Sequence, residues 1–590
     1  MATTLYLSLW LQPGTYHDQK GQKITYSDFV NKELIQFFMA DLQRSIPSML
    51  DGLKPEQRKI LFCAFKRNFV REGKVDQFYG YACVHSAYRH GEESFAKTFI
   101  GMAQDYVGSN NINLLQPIGQ FGTRYLGGKD HARARYLYTC LSPITRLLFP
   151  KDDDILLDYL NEDGQSIEPT RYMPIIPMVL VNGGEGIGRE WSTYIPSYSP
   201  RDIVANVRRL LNDEPTKPMH PWYKGFRGEI QKTSAKESEG SYTTIGTIKK
   251  VDNTTLMISE LPIGKWTEEY KEFLESITTG KDPFIKDYRE YHDDTTVHFE
   301  VILSKKNMAA VEKEDLLKKF KLTTTISTSN MHLFDPNGMI RKYDNAEQIL
   351  EEFFHIRLGF YAKRKEVLLP NLERELLKLE NKARFIEKVV KKEIIVTGRK
   401  RAELFIDLGK NFTPFPKKTN TMDAAVAGAT EDAEVGSEGV RASDFDYLLS
   451  MPIKSLMREG AEELCAYRDK LKGEISELSK ATPKSLWIKD LDALERELDK
   501  QDKIDVQVEA EGEKMKNSVM GEADLEAPAR KAEEPSLVLR DEDDVDEEVP
   551  ELKDRVAAYN PGSSPDHSEG MDTGVHEAQA RKKLDLEPEA

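Results

Sequence analysis

The stretch QFGTRYLGGKDHARARYLYT, residues 120–139, is the most informative segment of this 590-residue chain. It places Arg135 directly before Tyr136, after a glycine-rich turn that carries Lys129 and further basic residues. A tyrosine hydroxyl is a weak nucleophile, but it forms covalent intermediates when cations stabilise the group that it attacks. A basic loop also suits a phosphodiester. Taken alone, the Arg-Tyr-x-Tyr run is more typical of an ordinary helix with a half-buried aromatic side chain.

The charge of the chain is unevenly distributed. The net charge is −16, yet residues 501–590 hold 26 acidic and 11 basic residues, while residues 51–150 hold 14 basic and 8 acidic ones. A local basic excess is the relevant quantity for nucleic-acid binding, so the composition supports DNA binding without establishing it. With 39% hydrophobic residues the chain has enough apolar material for several domains. The acidic C-terminal segment, poor in aromatic residues, predicts a disordered tail.

Cysteine, membrane and leader signals are weak. The four cysteines have neither metal-ligand spacing nor a disulfide pattern, which is typical of a reducing compartment. No stretch approaches the ~20 apolar residues of a membrane span. The apolar start at residues 5–11 lacks the basic segment of a signal peptide. We therefore expect no membrane association.

Residues 25–150 predict mostly helices, and residues 170–335 predict mixed strands and helices. Pro55 suits a first helical position and precedes an apolar stripe. A second helix is expected from Glu92 to a stop near Gly108. The acidic run at residues 152–154 predicts a solvated turn and the start of a helix. An alternating strand is predicted from Val297, Phe299, Val301 and Leu303.

Two apolar seams, at residues 372–390 and 464–478, predict a pair of long helices because they have the spacing of a coiled coil. An ordinary helical hairpin packed on a core fits the spacing equally well. Pro370 is expected to kink or break the first helix. The module between the seams would lie at a distal tip, where apolar side chains are available to contact a second copy: Phe405, Leu448, Leu449 and Met451.

Several longer runs resemble eukaryotic type IIA DNA topoisomerases. The resemblance spans residues 20–500 and includes RSIPSMLDGLKPEQRK (44–59), QDYVGSNNINLLQPIGQFGTR (104–124), YMPIIPMVLVNGGEGIG (172–188), DYREYHDDTTV (287–297) and LFDPNGMIRKYD (333–344). Such a set of long matches is far more specific than any single motif. The family fold and chemistry therefore become the expectation for this chain.

The resemblance implies an α+β multidomain fold, limited to the cleavage/rejoining and C-gate part of the family enzyme. The expected segments are an atypical start (1–24), a winged-helix DNA-cleavage domain (25–165), an α/β tower domain (166–340), the two helices of a long antiparallel coiled coil (341–395 and 456–500), a helical C-gate dimerisation domain (396–455) with a disordered insert (415–442), and a disordered acidic tail (501–590).

The resemblance also implies roles for individual residues. Tyr136 would attack a DNA phosphate and stay linked to a 5′ end, while Arg135 would stabilise the transition state. Ile187 lies in a glycine-rich loop that, from its sequence alone, fits a surface turn; by resemblance it would enter the base stack and bend DNA. Further DNA contacts are expected from Lys54, Arg58, Lys59, Lys66, Lys74, Tyr88, His90, Ser94 and Lys129.

Simpler interpretations of these DNA contacts stay open. A solvated helix face accounts for the basic residues near Pro55 equally well. A single histidine beside a helix start, such as His90, is more often a cap or a surface residue. The chain also departs from the family pattern at Arg89, which replaces the first histidine of a usual pair, and at Arg189 and Glu190, which follow the glycine-rich loop.

The complete family enzyme uses Mg²⁺ and ATP, and the sequence predicts that the binding modules for both are absent from this chain. No metal ligands are predicted. Whether the chain is a fragment, a shortened gene product or a separate subunit stays open. The resemblance implies a homodimer on double-stranded DNA in the nucleus. Two other functions compete with the topoisomerase interpretation: a catalytically silent DNA-binding clamp or partner, and a coiled-coil scaffold with an acidic tail.

Overall fold

The computed structural model describes residues 23–233, 240–279, 283–311, 315–395, 401–415, 442–452 and 458–523. The chain divides into two units, Met1–Ala510 and Glu511–Ala590. Apart from the end of the last described helix, every element named below belongs to the first unit. Most of the expected atypical start, the expected insert and the tail beyond residue 523 lie outside the described residues.

Helices form most of the first part of the fold. Consecutive helical segments cover Tyr26–Asp28, Phe29–Leu34 and Ile35–Ser45 (α1), followed by Pro55–Arg67 (α2), Val75–Ser86 (α3) and Glu92–Ala103 (α4). Pro55 occupies the start of α2 as predicted, and Ile60, Leu61 and Ala64 of the predicted stripe are buried. The stop predicted for α4 was wrong: the helix ends at Ala103 because Gln104 adopts an extended backbone.

Short antiparallel pairs and two larger sheets follow. The pairs are Gly73–Lys74 (β1) with Tyr138–Thr139 (β2), Tyr159–Glu162 (β3) with Gln165–Pro169 (β4), Gly184–Ile187 (β5) with Ser192–Ile195 (β6), and Met331–Phe334 (β14) with Ile340–Tyr343 (β15). One sheet has the order β13-β8-β7: Thr323–Ser327, Ser241–Ile245, Glu229–Lys232. The other has the order β11-β12-β10-β9: Asp287–Glu290, Phe299–Ile302, Thr255–Glu260, Thr247–Lys250.

Thr267–Thr278 (α6) packs on the four-stranded sheet, whereas the buried residues of Pro200–Leu211 (α5) belong to the larger core described below. Short helical segments cover Ala134–Tyr136, Thr145–Leu148, Lys151–Leu156, Met178–Val181, Lys305–Val311 and Leu316–Lys319. Val297, Phe299, Val301 and Leu303 are all buried in the core under α6, which confirms the predicted alternating strand. A separate, larger core joins α2, α3 and α4 to residues far along the chain, including Phe353 and Trp487.

Of the kink or break predicted at Pro370, the break was wrong, because Ala346–Val390 (α7) is one helix with Pro370 inside it. Proline removes the hydrogen bond to the carbonyl four residues earlier. Here Pro370 and Glu366 are both exposed, so water can satisfy the freed carbonyl and the helix continues.

The second long helix also differs from its prediction. Instead of one helix over 456–500, the structure has Arg458–Lys480 (α9) and Pro483–Ala523 (α10). Lys365 donates to the carbonyls of Ser479 and Ala481 at 2.8 and 2.7 Å, while Lys472 pairs with Glu380 at 2.8 Å. These contacts run in opposite directions along the two helices, so α7 and α9 are antiparallel. The tail boundary expected at residue 501 falls within α10, which is helical to Ala523.

The start of α10 belongs to the main core. The Trp487 indole N–H donates to the Ile175 carbonyl at 2.9 Å, and its ring stacks on Tyr361 with centroids 5.5 Å apart. Leu491, Leu494 and Leu498 are buried on the same face. Residues 483–498, which the predicted coiled-coil helix 456–500 included, therefore anchor α10 to the body instead.

Apolar residues near the tip of α7 form a local core together with Arg401–Asn411 (α8) and the segments Ala442–Phe445 and Asp446–Leu449. Phe405 and Leu448 are each 1% exposed within this core. The expectation that these two side chains are available to a second copy was therefore wrong. Leu449 and Met451 are only partly buried and remain accessible.

The acidic run at residues 152–154 is not a solvated turn. Asp153 is 3% exposed and binds Arg357 at 2.8 Å and Arg364 at 2.5 Å. Arg364 also reaches Asp490 on α10 at 2.8 Å. Burying a carboxylate is tolerated when paired charges and hydrogen bonds surround it. This cluster joins the base of α7 to α10. Asp152 is exposed, as predicted.

Candidate functional site

Tyr136 lies on a short turn with a firmly held backbone. It ends the 3₁₀ segment Ala134–Tyr136, and its side chain is 65% exposed. The next residue, Leu137, is fully buried, and its carbonyl accepts from the Val75 N–H at 3.0 Å. The Arg135 guanidinium lies 5.3 Å from the centre of the Tyr136 ring. The turn therefore presents the phenol to solvent beside a cation while its own backbone is anchored to α3.

The glycine-rich turn before Tyr136 is a tightly packed loop. A Cβ at Gly122 would lie 2.6 Å from the Gly128 backbone, and Gly122 has a φ of +97°. Such a conformation is accessible almost only to glycine. The Gln104 amide donates to the carbonyls of Phe121 and Gly128 at 2.9 and 3.1 Å. These contacts fix the loop while leaving Lys129 exposed.

The loop is also clamped to the sheet region. Arg124 is buried and pairs with Glu260 at 2.5 Å, so this base is unavailable for DNA. Glu260 accepts a second bond from the Arg227 N–H at 3.1 Å. Trp266 lies against Gly127, where a Cβ would come within 2.3 Å of the ring. Sequence reasoning missed Glu260, Gln104 and Trp266, because the glycines indicate close packing but not its partners.

Two of the expected DNA contacts on α2 are occupied by intramolecular partners. Arg58 is buried and binds Asp51 through its Nε and Nη2 atoms at 2.8 and 3.0 Å. Lys59 pairs with Glu168 at 2.8 Å and donates to the Ser86 carbonyl at 2.5 Å. Their charges are paired inside the fold, so a phosphate contact from Arg58 or Lys59, which stays a prediction, would require breaking an intramolecular ion pair.

The other predicted cations near α2 are more accessible. Lys66 is exposed, with its ammonium 5.4 Å from the Phe62 ring centre. Lys74 is half-buried in β1, directly opposite Tyr138 in register, and so lies close to the Tyr136 turn. Lys54 is half-buried; burial lowers its pKa, and Glu185 and Glu56 partly oppose that shift. The structure thus leaves Lys66 and Lys74 as the better placed cations.

The segment before α4 contains one buried and two exposed candidates. Tyr88 is 8% exposed and stacks on Phe95 with ring centroids 4.0 Å apart, so little of its surface can reach DNA and its DNA contact stays a prediction. His90 and Ser94 are exposed. The divergent Arg89 pairs with Glu162 at 2.8 Å and is directed toward the β3–β4 hairpin.

Ile187 ends β5 and is 79% exposed. The preceding Gly186 passes so close to α1 that a Cβ would lie 2.1 Å from the Ser45 carbonyl oxygen. The divergent Arg189 lies over Phe37, 4.9 Å from the ring centre, and its N–H donates to Asp41 at 3.2 Å. The hairpin is therefore held against α1 on both sides of Ile187, which presents one apolar side chain on a supported turn.

The described residues offer no candidate metal centre. Within them, no group of three or more His, Cys, Asp or Glu side chains is arranged to hold a metal ion. The residues around Tyr136 therefore do not fit a metal. In the same part of the chain, none of the helices is long and apolar enough to cross a bilayer.

Comparison with known proteins identifies the class. The profile of the DNA gyrase/topoisomerase IV A-subunit family matches residues 44–492. That match covers most of the chain, together with the Tyr136 turn and the Ile187 loop. The chain belongs to this family of DNA topoisomerases.

Within this class, the chain is a homologue of eukaryotic DNA topoisomerase 2. It is 59% identical over 517 residues to DNA topoisomerase 2 of Arabidopsis thaliana, covering 85% of this chain and 35% of that protein. It is 54% identical over 510 residues to the Pisum sativum enzyme, covering 83% of this chain and 33% of the other. The chain thus spans about a third of the length of the curated relatives that it matches.

A solved structure covers the same region. The fold matches the crystal structure of the Plasmodium falciparum topoisomerase II DNA-binding, cleavage and re-ligation domain with a TM-score of 0.79 and 43% identity. The match covers 86% of this chain and 68% of that one. The mixed α+β fold is therefore that of the topoisomerase II breakage-rejoining region.

Proposed function

We propose that this chain supplies the breakage-rejoining subunit or region of a type II DNA topoisomerase. Tyr136 attacks a backbone phosphate of duplex DNA, forms a 5′-phosphotyrosyl bond and releases the 3′ hydroxyl; religation reverses the exchange. The number of phosphoester bonds is conserved, so the break is rejoined without a further energy source. The observation that carries this proposal is the exposed Arg135–Tyr136 pair on an anchored turn.

The surrounding residues support the chemistry in distinct ways. Arg135 stabilises charge on the attacked phosphate, because a preorganised cation acts most strongly where charge develops. Lys129, Lys66 and Lys74 neutralise neighbouring phosphates and position the duplex without reading its sequence. His90 and Ser94 add contacts at the start of α4. Two acidic residues in the first turn of α4 weaken its attraction for phosphate, so we assign these contacts a smaller role.

Ile187 acts as the apolar wedge that bends the duplex. Wedges of this kind unstack one base step at a cost of about a few kcal/mol, which additional protein contacts to bent DNA offset. A supported turn suits this role, because a mobile side chain would yield instead of opening the stack. The close approach of Gly186 to α1 provides that support.

The proposed architecture follows the segments inferred from the resemblance. Residues 25–165 form the winged-helix cleavage domain, residues 166–340 the tower, and α7 with α9 the antiparallel coiled coil, with the C-gate at its tip. Two chains form a homodimer, which places two Tyr136 residues across one duplex for a double-strand break. Leu449 and Met451, which remain accessible at the tip, support contact there. The nucleus is the proposed location, as DNA is the substrate.

The complete enzyme is proposed to use Mg²⁺ and ATP. Bound to its own module, the metal would supply Lewis-acid stabilisation of the phosphate and the leaving oxygen. The described residues of this chain do not form that site. Their part is to hold DNA, orient the phenol and supply the Arg135 charge.

The test uses the chain joined to a topoisomerase 2 metal-binding module, with Mg²⁺ and duplex DNA. Tyr136→Phe should abolish covalent DNA–protein adducts and leave DNA affinity nearly unchanged. Tyr138→Phe is the matched control, since Tyr138 is also exposed, at 40%, two residues away. Adducts that persist in the first variant, or that disappear only in the second, would refute the assignment. Absence of adducts in the unsubstituted protein, with DNA binding intact, would favour the silent clamp.

A further inference from the structure

The two halves of α10 are attached to the body in different ways. Up to Leu498 the helix is anchored by buried apolar side chains, including Trp487 and Leu494. From Asp499 to Ala510 every described side chain is exposed or only partly buried. Ile504 and Val508 are 56% and 62% exposed, so they do not attach this half to the body. Apolar contact therefore does not explain why the distal half lies where it does.

Ion pairs hold the distal half instead. Asp499, Asp502, Asp505 and Glu509 repeat every three or four residues, so they share one face of α10. We call this face the acidic strap. Its partners, the basic strip, are Arg201 on α5, Lys224 and Arg227. Asp499 pairs with Arg201 at 2.9 Å, Asp505 with Lys224 at 2.7 Å, and Glu509 with Arg227 at 3.2 Å. Asp502 also pairs with Arg201.

These pairs can exchange with another anion. The side chains of the basic strip are between 36% and 59% exposed, and those of the strap between 46% and 62%. Ion pairs in such solvated positions are individually weak and are screened by salt. Their weakness distinguishes them from the buried pairs of this chain, which cannot separate without a large desolvation cost.

Duplex DNA has the charge density to compete with the strap. The strap extends over eleven residues, from Asp499 to Glu509, which is about 15 Å of helix, and carries four carboxylates. The same length of duplex carries roughly nine phosphates. The strip is also connected to the proposed cleavage loop, because the Arg227 N–H and Arg124 bind the same Glu260 carboxylate.

We propose that the acidic strap covers a second DNA-phosphate site, the basic strip, and that bound duplex displaces it. The strap then acts as an intramolecular competitor, and the anchored half of α10 keeps it near the strip. This inference rests on the proposed function in taking DNA as the polyanion. It concerns residues outside the Tyr136 turn and does not require covalent chemistry.

The first test compares the salt dependence of duplex binding by the full chain, followed by fluorescence anisotropy. The strap variant carries Asp499→Asn, Asp502→Asn, Asp505→Asn and Glu509→Gln. With three cations freed, the slope of log affinity against log salt should steepen by about 2.7, from 0.9 per phosphate. The control variant removes the same charge elsewhere in the chain, through Asp541→Asn, Glu542→Gln, Asp543→Asn and Asp544→Asn, and should keep the original slope.

A reversal variant adds Arg201→Gln, Lys224→Gln and Arg227→Gln to the strap variant and should restore the shallower slope. An unchanged slope in the strap variant, an equal change in the charge-matched control, or no reversal would overturn the proposal. If the strap variant gained affinity for a polyglutamate probe but not for duplex DNA, the basic strip would be a site for acidic protein, and the proposal would also be overturned.

The second test uses hydrogen exchange on the unsubstituted chain. Adding duplex should increase exchange at residues 499–510 while residues 484–498 stay protected. Continued protection of the distal half with DNA bound would contradict displacement. Tyr136→Phe should show the same exchange change, because this step precedes chemistry. If the unsubstituted protein forms no covalent adducts but DNA still displaces the acidic strap, only the proposed function is contradicted. If adducts form normally but the strap is not displaced, only the strap proposal is contradicted.

Discussion

Two basic segments of the DNA-binding region use their charges in opposite ways. In the loop at residues 120–136, the backbone is buried and bonded while Lys129 and Arg135 point into solvent. In α2, the side chains themselves enter the fold, and Arg58 is paired with Asp51 beneath the surface. The two segments look alike in sequence, since both are rich in arginine and lysine.

The difference shows what makes a basic residue available to a phosphate. Where glycines allow the backbone to pack closely, as at Gly122, main-chain contacts help to hold the segment. Lys129 and Arg135 then stay free, although Arg124 of the same loop pairs with the buried Glu260. In α2, by contrast, a buried ion pair between Arg58 and Asp51 fixes the helix to the core. A basic side chain in such a buried ion pair cannot bind a DNA phosphate without leaving its carboxylate partner unpaired in the interior.

Removing the buried Arg58–Asp51 ion pair beneath α2 should change stability the most. Asp51→Ala leaves Arg58 buried without its carboxylate and also removes acceptors for the Leu53 and Tyr172 N–H groups. Removing one partner of a buried pair costs about 3–5 kcal/mol. The urea midpoint should fall markedly, whereas the exposed Asp152→Ala control should leave it unchanged. Equal midpoints for the two variants would mean that the pair does not stabilise α2.

The next effect tests the loop. Gly122→Ala places a Cβ against the Gly128 backbone at a φ of +97°, so the loop must shift. Strain of this type costs on the order of 1–3 kcal/mol. Hydrogen exchange at residues 120–130 should increase, and adduct formation by the chain joined to its metal module should fall about tenfold, equivalent to ~1.4 kcal/mol. Gly101→Ala is the control, because a Cβ at Gly101 would meet no atom within 4 Å outside its own helix backbone. Normal adduct yield from Gly122→Ala would show that the loop need not be rigid.

A smaller effect separates bending from binding. Ile187→Ala should reduce the DNA bend, measured by energy transfer between the ends of a labelled duplex, while affinity changes less than about twofold. The reason is that Ile187 offers apolar surface but no charge to the phosphates. Ile155→Ala removes a comparably exposed isoleucine, 56% exposed, from another position. If the unsubstituted chain, Ile187→Ala and Ile155→Ala all bent DNA equally, Ile187 would not act as a wedge.

A still smaller effect concerns Tyr88, which is buried against Phe95. Burial raises the pKa of Tyr88 to about 12, and Glu56 adds to the shift. Above its ordinary pKa of 10 the unfolded chain loses this proton while the folded chain keeps it, so stability should fall between pH 10 and 12. Tyr88→Phe should make that fall shallower and leave DNA affinity unchanged. A lower DNA affinity of the Tyr88→Phe variant would indicate that the Tyr88 hydroxyl contacts DNA.

Local features of the fold were predictable from the sequence. Pro55 and its apolar stripe specified α2, and alternation specified the strand that contains Phe299, because periodicity directly reports which face is buried. The family resemblance identified the Tyr136 turn, and the structure shows that turn exposed. The continuity of α7 through Pro370 was not predictable, because the energetic cost of a proline in a helix depends on whether water reaches the freed carbonyl, here that of Glu366. A sequence does not reveal that exposure.

Long-range pairing was not predictable. Asp153 binds Arg364 across 211 positions of the chain, and Arg124 binds Glu260 across 136. Their sequence neighbourhoods look polar and solvated, since nothing local marks a carboxylate whose partner lies on a distant helix. The same limit applies to the start of α10, which the predicted coiled-coil helix 456–500 included, whereas the structure buries Trp487 in the main core.

Tyr136, and not a neighbouring hydroxyl, is the side chain that we expect to become linked to DNA. The direct measurement is mass spectrometry of peptides from trapped DNA–protein adducts of the chain joined to its metal module, after nuclease digestion. We predict a nucleotide remnant on Tyr136, joined through a 5′ phosphate. A remnant on Tyr138, on a serine, or joined through a 3′ phosphate would contradict the assignment of the nucleophile or the polarity of the break.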